Sequence, residues 1–226
     1  MLKKFKSFGF TLNETQLNQF EKYFELLVEY NQKFNITAIT ERDEVIYKHF
    51  IDSALGVEMF KCSKLIDIGS GGGFPAIPLK ILLPSLSITL MDATEKKCEF
   101  LKIVAKTLNL DNVEVINGRA EEFANDIRFR ESFDYCTARA VARLNILSEY
   151  CMPFVKKGGS FIAYKGDATD ELNEAQNAIK TLGGKVEKVK EFDLLGAKRA
   201  IIEIKKVNST PNNYPRANGR IRKKPL

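Results

Sequence analysis

The sequence predicts an α/β fold: a seven-stranded, mostly parallel sheet that ends in an antiparallel hairpin, with an N-terminal helical cap. Three observations carry the expectation. The apolar strand KLIDI, Lys64–Ile68, runs into a turn with four glycines in five positions, Gly69, Gly71, Gly72 and Gly73. Strand-like and helix-like stretches then alternate as far as residue 182. Two strand-like runs, 185–192 and 199–206, finally follow each other across a linker too short for a right-handed parallel crossover, so they must pair antiparallel.

Taken in order, Asn13 followed by Gln16 resembles a capping box. Leu17, Phe20, Phe24, Leu27 and Phe34 then form one apolar stripe at helical spacing. Thr40 with Asp43 repeats the cap signal, and Ile46, Phe50 and Val57 mark the next buried face. The strands are expected at 64–68, 87–91, 113–116, 133–137 and 160–164, with helices at about 96–108, 144–155 and 170–182. Lys157-Gly158-Gly159 reads as the turn before the fifth strand, and Gly183-Gly184 ends the last helix. The expected organisation is a helical subdomain over 1–60, the sheet domain over 61–207 and a basic tail over 208–226.

The chain has 226 residues, 44% of them hydrophobic, enough for a full core. The best apolar run is interrupted by Lys80 and Pro84, short of the ~18–20 residues of a membrane span. The N-terminus shows no apolar region followed by a cleavage site, so a cytoplasmic location is expected. Cys62, Cys98, Cys136 and Cys151 include no CxxC pair and read as reduced packing thiols. His49 is the single histidine, so a Ser-His-Asp hydrolase would depend on it alone, and no metal site is expected. The net charge of +6 is carried by the two ends, Lys3, Lys4 and Lys6, then Arg216, Arg220, Arg222, Lys223 and Lys224; the body between is slightly acidic. Such arms suit nucleic acid, or else form solvated tails.

The glycine turn points to a nucleotide-like cofactor at the first βα junction. The third glycine of a dinucleotide GxGxxG would fall at Phe74, so the turn reads instead as the GxGxG of S-adenosylmethionine (SAM) enzymes. The hairpin ending likewise matches class I SAM-dependent methyltransferases, a Rossmann-like fold, rather than an all-parallel dinucleotide fold. Asp67 can face the ammonium of SAM, or else cap the turn's amides. Asp92, 23 residues after Gly69, can accept both ribose hydroxyls. The Ala120 backbone and Glu121 side chain can read the adenine amino group, or Glu121 can serve the helix dipole. Arg139, where the fourth strand ends, can hold the methionine carboxylate, a phosphate or the O6 edge of guanine. Alternatively it forms a structural ion pair with Glu121 or Asp92. Arg143 extends the same face, and His49 reads as a hydrogen-bonded helix residue. Thr137-Ala138-Arg139-Ala140 stands where amino-directed methyltransferases carry Asp/Asn-Pro-Pro-aromatic, and Cys136 and Cys151 read as core thiols rather than C5-directed nucleophiles.

YNQKFNIT (30–37), HFIDS (49–53), LIDIGSGGGFPAIPL, MDATEKKCEFL (91–101), RAEEF (119–123), TARAVARL (137–144) and TPNNYPRANGRIRKKPL occur in this order over nearly the whole chain. Together they resemble the bacterial 16S rRNA guanine-N7 methyltransferase family, also called glucose-inhibited division protein B. The resemblance implies SAM as cofactor and a guanine of 16S rRNA near the decoding centre as substrate, with the small ribosomal subunit as partner. It places SAM contacts on Gly69, Phe74, Asp92, Ala93, Thr94, Ala120, Glu121 and Arg139; the turn adds Asp67 and Gly71. Arg139 is the expected catalytic residue, and Arg143, Arg216, Arg220, Arg222, Lys223 and Lys224 the expected rRNA contacts. Ala76 departs from the glycine usual in the family's PGIP. No membrane or metal is implied, and a monomer is expected. The alternatives are a SAM methyltransferase acting on another RNA, a protein or a small molecule and, behind it, a nicotinamide-dependent oxidoreductase. Guanine N7 carries an in-plane lone pair and needs no general base.

Overall fold

Central strand β1, Lys64–Ile68, is buried along Leu65–Ile68 because parallel neighbours flank it and helices cover both its faces. The computed structural model describes residues 1–61 and 63–226, and of Thr169 the backbone alone; Cys62, read as a packing thiol, lies outside the described residues. The N-terminal helices are α1 (Leu2–Ser7), α2 (Glu14–Phe34), α3 (Arg42–Val45), a π-helical stretch (Ile46–Ile51) and α4 (Asp52–Ala54), followed by a 3-10 turn, Val57–Met59. After β1 come α5 (Ala76–Leu82), β2 (Ser87–Asp92), α6 (Glu95–Thr107), β3 (Val113–Asn117), α7 (Ala120–Phe123) and β4 (Phe133–Arg139). Then follow α8 (Leu144–Cys151), a 3-10 turn (Met152–Phe154), β5 (Val155–Lys165), α9 (Thr169–Thr181), β6 (Gly184–Leu194), β7 (Ala197–Lys206) and α10 (Asn218–Lys223).

The sheet order is β3-β2-β1-β4-β5-β7-β6, parallel except for β7, which runs antiparallel to both β5 and β6. Strand order reverses between β1 and β4, the position at which open α/β sheets bind ligands beyond their carboxyl ends. Register there sets Asp67 beside Thr137 and Asp92 beside Asn117.

Four local expectations are corrected. Lys157-Gly158-Gly159 is not a turn before the fifth strand but lies inside β5: Phe133 pairs with Val155 and Tyr135 with Ser160, so residues 156–159 bulge opposite Asp134. A Cβ on Gly159 would stand 2.5 Å from the Asp134 carbonyl oxygen, which is why glycine occupies the bulge. The helix expected over 144–155 stops at Cys151, where Pro153 leads into the 3-10 turn. The cap of α3 is Glu41, whose carboxylate accepts from the Glu44 N–H, rather than Thr40 with Asp43. On α2 the Asn13–Gln16 capping box forms, but the buried face is Phe20, Tyr23, Leu26 and Leu27; Leu17, Phe24 and Phe34 are only half-buried. Tyr23 takes the centre of that face because its hydroxyl donates to the Gly72 carbonyl while its ring stacks on Phe50 and Phe74.

One apolar cluster runs from Phe5 and Phe20 through Phe50 and Phe74 to Leu65 and Ile162, so the helical cap and one sheet face share a core. A second, under α8 and α9, ends at Ile221 of α10. No described helix is long and apolar enough to cross a membrane.

Candidate functional site

Two cavities open at the carboxyl end of the sheet, one on each side of the chain leaving β4. The first encloses ≈ 540 Å³ of empty space, part of it open to solvent. Its walls include Gly69, Asp92, Ala93, Gly118–Glu121, Val141, Tyr150 and, from the C-terminal segment, Asn218 and Arg222. Gly69 and Gly71 take φ of +70° and +56°, a region that costs side chains with a Cβ. A Cβ on Gly69 would also meet Val141 Cγ2 at 2.7 Å. The Asp92 carboxylate fixes this turn: Oδ2 accepts from the Gly71 N–H and Oδ1 from the Thr94 N–H, both at 2.9 Å. Each oxygen keeps a further lone pair for a ligand hydroxyl.

Asp67 sits fully buried beneath the turn. Its Oδ1 accepts from the Thr137 hydroxyl at 2.7 Å, and its Oδ2 has no partner among the described residues. Burial pushes its carboxyl up to about 7, against the opposing pull of the Thr137 hydrogen bond and the Arg139 cation. An orphaned buried carboxylate oxygen beside an open, positive-φ glycine turn is what an ammonium-bearing nucleoside ligand would complete, so the residues present fit SAM.

The second cavity, ≈ 870 Å³ of empty space that is partly open solvent, includes Lys48, His49, Asp52, Arg139, Tyr164 and Arg199 in its lining. Here Arg139 is held from four sides. One terminal nitrogen donates to the Lys48 carbonyl at 3.1 Å and to Asp52 Oδ2 at 2.8 Å; the other reaches His49 Nδ1 at 3.2 Å. The guanidinium also lies 5.0 Å from the Phe74 ring centre. Its acidic partner is thus Asp52, not the Glu121 or Asp92 expected as its structural alternative. Arg199 Nε lies 3.3 Å from the other Asp52 oxygen. His49 Nδ1 lies 3.1 Å from the Lys48 carbonyl and 3.2 Å from the Arg139 guanidinium, and Nε2 shares a hydrogen bond with the Thr37 hydroxyl at 2.9 Å. Burial, reinforced by Arg139, drops His49 to about 3. His49 is therefore neutral with both nitrogens engaged.

The sequence-predicted residues divide accordingly. Gly69, Asp92, Ala93, Ala120 and Glu121 line the first cavity; Asp67, Gly71, Phe74 and Thr94 stand outside its lining. The Phe74 ring is occupied by His49, Tyr23 and Arg139. Arg139 belongs to the second cavity, and Arg143 does not continue its face: it is exposed and paired with Glu174 at 2.6 Å. Arg216 is turned inward onto buried Glu149, while Arg220, Lys223 and Lys224 are exposed; Arg222, also exposed, borders the first cavity. At the other end Lys3 and Lys6 are exposed and Lys4 pairs with Asp43. Asp52, Arg199, Tyr164, Val141, Tyr150 and Asn218 were not singled out by sequence reasoning. A signal existed for Asp52, three residues after His49 in HFIDS, but charge pairing across the fold gives none for Arg199. The cysteines Cys98, Cys136 and Cys151 are buried and free. Among the described residues no group of three His, Cys, Asp or Glu could hold a metal ion.

The rRNA small subunit methyltransferase G (GidB) family model matches residues 16–202. The ribosomal RNA small subunit methyltransferase G of Brevibacillus brevis is 49% identical over 224 residues, covering 96% of this chain and 94% of that protein. The protein of the same name from Lachnoclostridium phytofermentans is 49% identical over 227 residues, covering 98% and 94%. Among solved structures, precorrin-6y C5,15-methyltransferase from Geobacter metallireducens matches with a TM-score of 0.53 at 17% identity, over 68% of this chain and 87% of that one. M. jannaschii TYW2 in complex with AdoMet matches with a TM-score of 0.57 at 12% identity, over 70% and 76%. At these identities the structural likenesses concern the fold, the sheet of class I SAM-dependent methyltransferases.

Proposed function

The chain belongs to the rRNA small subunit methyltransferase G family, and from that premise we propose that it methylates N7 of a guanine in 16S rRNA, using SAM. The observation that carries the reading is the pair of cavities flanking the end of β4, one fitted to a nucleoside with an ammonium group and the other offering no free base. SAM, when bound, supplies an electrophilic methyl group on a sulfonium.

The chain's residues hold and align. Asp67, beneath the glycine turn, would face the ammonium across it, Asp92 would take the ribose hydroxyls, and Ala120 with Glu121 the adenine edge. The target guanine enters the second cavity, where the Arg139 guanidinium, fixed by Lys48, Asp52 and His49, presents its remaining N–H groups to O6 or an adjoining phosphate. No residue has to remove a proton, because N7 is a lone-pair nucleophile at neutral pH. His49, in contact with Arg139 through Nδ1, acts as a positioning residue. Alignment and exclusion of water then supply the rate enhancement, a contribution that reaches about 7–11 kcal/mol for well-oriented reactants. The partner is the small ribosomal subunit, which places the protein in the cytoplasm.

The test is tritium transfer from labelled SAM onto 30S subunits from a strain lacking the enzyme, with mapping of the modified base. Label at guanine N7 of 16S rRNA is expected; label on protein, or at another purine position, overturns the reading.

A further inference from the structure

By charge alone the C-terminal segment belongs to RNA, but its packing gives part of it another task. Lys206, with a fully buried side chain, donates to the Met152 carbonyl at 2.8 Å and pairs with Glu131 at 3.1 Å. Glu131 in turn accepts from the Thr210 N–H at 2.7 Å. Arg130 donates to the carbonyls of Thr210, Pro211 and Tyr214. Buried Glu149 accepts from Arg216 three times, from its backbone N–H, Nε and a terminal nitrogen, at 2.9, 2.8 and 2.6 Å. Ile221 is fully buried. These contacts fix α10 beside α8, and they bring Asn218 and Arg222 to the first cavity next to Tyr150. The Tyr150 hydroxyl donates to Asn218 Oδ1 at 2.5 Å, which leaves the amide's NH₂ as the group free to donate.

We infer that Asn218 and Arg222 are cofactor-binding residues, the C-terminal segment forming the wall of the cofactor crevice that meets the purine end of the ligand beside residues 118–121. The inference rests on the SAM reading above. Adenine offers ring nitrogens to an amide donor and a π face to a guanidinium. The same six-residue helix carries Arg220 and Lys223 exposed, with Lys224 just beyond it. Ligand in the crevice and RNA on the tail therefore bear on one element, and any gain in affinity that one gives the other is reciprocal.

Direct SAM binding by calorimetry tests this without any methyl-transfer readout. Asn218→Ala combined with Arg222→Ala is expected to raise Kd about tenfold. Lys223→Ala with Lys224→Ala, which removes charge outside the crevice, is expected to leave it within about twofold. The unsubstituted protein supplies a second measurement, independent of folding defects: amides over 214–224 should exchange more slowly once S-adenosylhomocysteine is added. Unchanged exchange there, or an unchanged Kd in the first variant, overturns the inference. A wild-type chain that binds no SAM would instead overturn the cofactor reading beneath it.

Discussion

The crevice proposed for the cofactor is shaped largely by backbone, whereas the cavity on the other side of residues 139–141 is held by charged side chains. In the crevice, the glycine turn and Asp92 are organised by hydrogen bonds from the Gly71 and Thr94 N–H groups, and the Gly69 and Ser70 N–H groups both reach the Met91 carbonyl. In the second cavity, Arg139, Asp52, Arg199 and His49 hold one another in place. Backbone geometry is fixed by the strands on either side and resists most side-chain changes. A buried ionic network is held only by its own members, so the loss of one leaves the others unsatisfied. On the proposed reading, ligand shape is set on one side and ligand orientation on the other.

The largest expected effect is on the ionic side. Arg139→Ala should lower single-turnover methyl transfer to 30S subunits by about 100-fold or more, because small misplacements of reactants cost that much. SAM affinity measured directly should change little, and Arg139→Lys should not restore transfer, since one ammonium cannot span Lys48, Asp52 and His49 together. A loss of SAM affinity in step with transfer would break the division between the two cavities. Next comes Gly69→Ala, which meets both the positive φ and the Val141 methyl. The conformational penalty alone is about 1–2 kcal/mol, so calorimetry should show SAM binding weakened about five- to thirtyfold. Unaltered binding would mean that the backbone does not set the crevice.

The smallest effect concerns Asp67. With its carboxyl raised to about 7 in the folded chain, a ligand ammonium that requires the carboxylate binds better as pH rises through that value. Affinity should fall about tenfold from pH 8 to pH 6, and Asp67→Asn should remove that dependence. The sign for stability is opposite. The ligand-free folded state holds this proton more tightly than the unfolded chain, so the contribution present below pH 4 is lost as pH rises to about 7. Thermal melts across that range should show the wild type losing more than the Asn variant.

Part of the crevice's lining, Gly69, Asp92, Ala93, Ala120 and Glu121, was legible in the sequence because its determinants are local. A strand, its glycines and the acid ending the next strand sit at spacings that the fold repeats, and the hairpin announced itself by a short linker. The second cavity was not. Arg139 was readable as important, but its partner Asp52 lies 87 positions away, just after a π-helical stretch, Ile46–Ile51, that no periodicity reveals. The buried face of α2 shifted to include Tyr23 for a related reason: a tyrosine stripe member is indistinguishable from its neighbours until the Gly72 carbonyl is placed beside it. The basic tail showed the limit of charge counting, since Arg216 is spent on a buried glutamate that sequence cannot pair with it.

The position of Asn218 and Arg222 in the chain has a consequence for biosynthesis. Every strand of the sheet, and the glycine turn with it, precedes them in the order of synthesis. A nascent chain can therefore assemble its sheet while one wall of the crevice is still to be made. That wall of the crevice arrives late in translation, after the scaffold that carries it.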